Sequence, residues 1–121
     1  MRLFVETRAF TRWVGETWSD EDLAGLQRNL LDDPECGAVI PGCGGLRKLR
    51  VADPRRGQGK RGGARVIYLH VPEAGVFFLI HAYSKGESED LSADQKRALA
   101  ELAEEFRREA IAWAKRPRRR G

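Results

Sequence analysis

The sequence predicts an α+β fold with helices packed against one face of a mostly antiparallel sheet, and three features of its 121 residues carry that expectation. Apolar residues recur at helical spacing in two consecutive N-terminal segments. Two nearly continuous apolar runs, ARVIYLHV and GVFFLIHAY, follow with only Pro72-Glu73-Ala74 between them, as paired central strands require. A third helical stripe comes last, so the order is strand, two helices, three strands, helix.

Residues 3–6, LFVE, read as a short first strand. Phe10, Trp13, Val14, Thr17 and Trp18 then fall on one helical face, interrupted only by the weak helix former Gly15. Ser19 stops that helix and caps the next, whose first turn holds Asp20, Glu21 and Asp22 where the helix dipole favours anions. Leu23, Leu26, Leu30 and Leu31 form its apolar side and Pro34 closes it, so the two helices are expected to form an antiparallel hairpin. The segment GAVIPGCGG, residues 37–45, reads as a plain turn, because its four glycines match neither common phosphate-binding motif.

From Leu46 to Val51 the residues alternate, with Lys48 and Arg50 on one face and Leu49 and Val51 on the other. The stretch ADPRRGQGKRGG, residues 52–63, has no apolar anchor and is expected to be a mobile loop. Ser92 and Gln95 make a capping box that opens the last helix. Its stripe is Leu99, Leu102, Ala103, Phe106, Ala110 and Trp113, and it runs to Pro117. Residues 1–121 are expected to form one domain with a flexible basic tail at 115–121, and the uncovered sheet face is left to function.

Charge is unevenly placed along this chain. Leu46 to Arg65 carries +7, on a protein whose total is +4, and five more cations lie between Lys115 and Arg120. A polyanion, most simply a phosphate backbone, is the partner such an arrangement implies. There is no apolar run long enough for a membrane span and no leader pattern, so a cytoplasmic location without membrane is expected. Cys36 and Cys43 read as reduced thiols, and no finger-like spacing suggests zinc.

The acids lie at helix starts and on solvated helical faces, which disfavours a two-metal nuclease and leaves no metal or cofactor expected. His70 and His81 sit inside apolar strands, where a core histidine is the plainer reading, although His81 shares parity with Tyr83 and Lys85. Lys48, Arg50, Arg65 and Lys85 come from three strands and could converge on one phosphate. RNA cleavage without metal needs removal of the 2′-OH proton, stabilisation of the phosphorane and protonation of the 5′-oxygen. Arginine supplies only the second. A lysine crowded by other cations gives up its proton more easily, which makes Lys48 the candidate base or acid. The plainer alternative is that all four only hold a nucleic-acid backbone. Arg47, Arg55, Arg56, Lys60, Arg61 and His81 would add RNA contacts, and Tyr68 and Tyr83 are the residues available to stack on a base.

The motifs PGCGGLRKLR, GGARVIY and AYSKGESEDLSADQKRAL, in this order and spacing, resemble the HigB-type branch of the RelE/ParE toxin superfamily over about residues 3–106. The resemblance implies the RelE-like (microbial RNase-like) fold and a type II toxin, a metal-free, ribosome-dependent mRNA endoribonuclease that inhibits translation. It also implies a ribosome carrying mRNA as target and a HigA-like helix-turn-helix antitoxin as partner, through which the complex would reach operator DNA. By position, Lys48 and Arg50 match the family's first basic pair, Arg65 the arginine opening G-x-R-V-I-Y, and Lys85 the basic residue after the third long strand. The tyrosine that follows this last residue in the best-known RelE proteins is missing here, where Gly86-Glu87-Ser88 stands instead. A ParE-like gyrase inhibitor shares the fold but lacks the cation cluster. A non-catalytic nucleic-acid-binding module would need aromatics exposed on the sheet.

Overall fold

A computed structural model describes residues 4–51, 63–84, 86 and 91–116. Its elements are β1 (Phe4–Glu6), α1 (Arg8–Thr17), α2 (Asp20–Asp32), β2 (Ala38–Val39), β3 (Arg47–Val51), β4 (Ala64–Val71), β5 (Val76–Ser84) and α3 (Ala93–Ala114). The strands form one sheet in the order β1-β5-β4-β3-β2. All neighbours are antiparallel except β1 and β5, which run parallel because α1 and α2 intervene between β1 and the rest of the sheet.

Each helix starts where side-chain chemistry satisfies its free N–H groups. Thr7 caps α1 by accepting from Phe10 N, and Ser19 with Asp22 and Ser92 with Gln95 form reciprocal capping boxes on α2 and α3. Within β4 successive side chains face opposite sides, and both sides are apolar.

That double apolarity overturns the expectation of helices on a single face. Phe10, Trp18, Leu26 and Leu30 of the N-terminal helical region pack with Val66, Tyr68, Phe77 and Leu79 on one side of the sheet. On the other side Leu99, Ala103, Phe106 and Ala110 of α3 pack with Ile67, Leu69, Val71 and Ile80. Strands as apolar as β4 and β5 would leave one face in water without the second layer, at a cost of roughly 25 cal/mol for each Å² of apolar surface. The part of the α3 side that α3 leaves open is therefore the candidate surface. A second correction concerns residues 37–45, where Ala38 and Val39 add a two-residue edge strand to β3.

Gly37 shows why glycine stands at that edge. A Cβ there would come within 2.8 Å of the Tyr68 ring and 3.1 Å of the Lys48 carbonyl oxygen. Further on, Gly44 adopts a φ of +67° where the chain passes the Ala100 backbone, which carries the turn into β3 beneath α3.

Candidate functional site

Strand register brings the predicted cations together. Lys48 lies opposite Ile67, which lies opposite His81; one step along, Arg50 lies opposite Arg65, which lies opposite Tyr83. Partners across strands are about 4.8 Å apart and successive rungs about 7 Å, so five polar or aromatic side chains share one small area on the α3 side. Where this area meets the first turns of α3 a concave surface of about 320 Å³ opens, with Lys48, His81, Tyr83 and Gln95 as its polar lining.

His81 reaches this face through a β-bulge. Ile67 pairs with His81 but Tyr68 pairs with Leu79, so Ile80 is an extra residue on β5. Strict alternation would send His81 to the side of Phe77 and Leu79, into the α1 and α2 layer. The bulge keeps Ile80 in the α3 core and turns His81 to the same side, exposed beside Lys48. The expectation of a core histidine is thereby corrected for His81. Thr7 pins the irregular segment, its hydroxyl donating to Ile80 O at 2.6 Å and its N–H to Leu79 O at 3.1 Å.

Among the described residues no carboxylate compensates the cations of the site. Arg65 is only 5% exposed, and its Nη1 donates weakly to the Ala64 carbonyl at 3.4 Å. Lys48 is half-buried and Arg50 exposed. Among the described residues the ion pairs belong to Arg47, Arg97 and Arg107, and none to Lys48, Arg50 or Arg65. Two guanidinium groups directly opposite each other repel, and an anion placed between them converts that repulsion into charge-assisted hydrogen bonds.

Two residues expected to touch RNA do other work. Arg47 faces the α1 and α2 side, where it donates to Gly37 O at 2.8 Å and pairs with Glu35 at 3.7 Å. Tyr68 is fully buried on that side, donating to Pro34 O at 2.9 Å and accepting from Gly37 N at 3.0 Å. Burial is the main cause that pushes the Tyr68 hydroxyl up to about 12, against a small opposing effect of the Gly37 hydrogen bond. Together they tie residues 34–37 to the sheet. His70 also faces that side, stacked on Phe77 at 4.4 Å, and burial holds its imidazole below the ordinary value. Arg55, Arg56, Lys60, Arg61 and Lys85 lie outside the described residues, as does the tail from Pro117 onward.

Cys36 and Cys43 are free thiols, and among the described residues no three His, Cys, Asp or Glu side chains gather in a metal-ligand group. A larger recess of about 860 Å³ lies toward the other end of α3, lined by residues such as Val76, Phe78 and Trp113, but no residue of the cationic rungs lines it. Sequence reasoning missed Gln95 and Leu99 as part of the site. Their capping box and stripe place them on a helix, but only the tertiary packing sets the start of α3 beside Lys48.

Comparison with protein families gives a match over most of the chain. The model described as the RelE toxin of the RelE/RelB toxin-antitoxin system matches residues 1–112.

Proposed function

The chain belongs to the RelE toxin family, the toxin side of a type II toxin-antitoxin system with an antitoxin as partner, and from that premise we propose that it is a HigB-type mRNA endoribonuclease. In this reading it cuts messages on the bacterial ribosome, in the cytoplasm and without metal, and a HigA-like antitoxin neutralises it. The observation that carries the reading is the pair of rungs, Lys48 with His81 and Arg50 with Arg65, on one open face.

Those residues divide the chemistry between them. Lys48 and His81 lie two strands apart, about 10 Å at the backbone, so they can flank a phosphodiester from opposite sides. Lys48 takes the proton of the 2′-OH, and the 2′-oxygen forms a bond to phosphorus. The 5′-oxygen leaves in line and takes its proton from His81, a side chain able to hold or release one. The products are a 2′,3′-cyclic phosphate and a 5′-hydroxyl. Arg50 and Arg65 hold the non-bridging oxygens, whose charge grows in the phosphorane. Lys85 keeps its place by sequence position as a fourth cation. The ribosome contributes the alignment of the 2′-OH, which a face with no deep substrate cleft among the described residues does not impose on free RNA.

Lys48→Ala and Arg65→Ala test the site directly. Each should lower cleavage by about two orders of magnitude or more and relieve growth arrest on induction, with an unchanged circular dichroism spectrum. Full toxicity in both single variants would remove the proposed site.

A further inference from the structure

The cavity beside Lys48 contains more than a phosphate needs. Besides its polar residues it is lined by Ile40, Ile67, Leu91 and Leu99, so a strongly hydrated anion alone would leave most of that surface unmatched. A planar heterocycle has two apolar faces and a polar edge, and both kinds of lining suit it. The volume, about 320 Å³, is at the lower end of small-molecule sites. Two aromatic rings stand in the lining, the exposed His81 and the buried Tyr83 behind it, with centroids 5.7 Å apart and planes tilted by 32°, so His81 offers the ring face. Bases in single-stranded RNA are held by stacking on such rings. Lys48 belongs both to the cationic rungs and to this lining, so a phosphate on the rungs places the adjoining base at the cavity.

Gln95 supplies a directional signal. Its Oε1 accepts from Ser92 N at 2.9 Å as half of the capping box, which leaves the amide nitrogen as the end to turn toward a ligand. A base edge that meets this nitrogen must accept: the carbonyl oxygen of guanine or uracil does so, whereas the amino group of adenine or cytosine presents another donor.

We infer that this cavity seats the nucleobase next to the phosphate held by Arg50 and Arg65, and that Gln95 selects a keto-bearing base by donating to its carbonyl oxygen. The position of that phosphate rests on the nuclease reading above. Gln95→Glu is the informative substitution, because glutamate preserves the capping box while replacing the donor with an acceptor. Ala98→Phe fills the cavity from an exposed position on α3.

The test is to map cut sites for the full chain and both variants. In the parent, one fixed position beside the cut should favour guanine or uracil about fivefold or more, the worth of one well-made hydrogen bond. Gln95→Glu should shift that position toward adenine and cytosine, and Ala98→Phe should reduce cutting at least tenfold with the fold intact by circular dichroism. Parent-like base distributions and rates in both variants would overturn the inference. If the parent cuts nothing, the nuclease reading fails separately, and the cavity is then judged by titrating the protein with GMP, AMP and ribose 5-phosphate while following the His81 and Gln95 side-chain resonances. A response to GMP that ribose 5-phosphate does not reproduce and Ala98→Phe abolishes would support the base site. An identical response to ribose 5-phosphate would overturn it.

Discussion

Arg50 and Arg65 face each other across β3 and β4 with no described carboxylate in salt-bridge range, an arrangement that weakens the free protein and favours a bound anion. Arg50→Ala should therefore leave the melting temperature unchanged or raise it, while lowering cleavage by an order of magnitude or more; a melt showing clear destabilisation would mean that Arg50 has a structural role. Tyr68 represents the opposite case, a buried residue important for structure alone. Tyr68→Phe removes both hydroxyl hydrogen bonds and should cost about 1–3 kcal/mol of stability without altering base preference. The hydroxyl titrates higher in the folded chain than the ordinary value of 10, so its contribution is intact below about pH 10 and fades as the pH rises toward 12. The stability gap between the two proteins, followed by urea melts, should close over that interval. Both Arg47 and Tyr68 were separable from the site by parity alone. Lys48 and Arg47 are adjacent on one strand, and Arg65 and Tyr68 differ by an odd number of positions, so neither pair can share a face without a bulge.

At the scale of elements the bulge in β5 decides what the site contains. Residues 76–80, VFFLI, are apolar at every position, so alternation there carries no mark of the extra residue that sets Tyr68 opposite Leu79. The other elements were legible because they carry local chemistry: Ser19 and Ser92 announced α2 and α3, and the apolar runs announced β4 and β5. β2 was not, since two residues in a glycine-rich segment have no period to detect. Thr7 links the bulge to the first helix, capping α1 while donating to Ile80 O. Thr7→Val should destabilise the protein by about 1–3 kcal/mol and reduce cleavage more than Ser19→Ala, which removes a cap distant from the bulge. Equal loss of cleavage at matched fraction folded would show that the bulge does not need this anchor.

On the scale of the whole molecule, α3 completes the core on one side of the sheet and leaves its first turns to border the cationic rungs. The two-sided apolarity of β4 and β5 already required cover on both faces, yet which helix covered which face depended on contacts far apart in the chain. Among the described residues the candidate area is bounded by a helix start, an arrangement that on the proposed reading suits a large assembly that presents the RNA. Cleavage of protein-free RNA should be at least a hundredfold slower than cleavage of translated message, because alignment is left to the ribosome. The most direct measurement is a map of RNA 5′-ends a few minutes after induction. New 5′-hydroxyl ends should appear inside translated messages, vanish when translation is blocked beforehand, and be absent with Arg65→Ala. Intact messages alongside a loss of DNA supercoiling would contradict the account and point to gyrase.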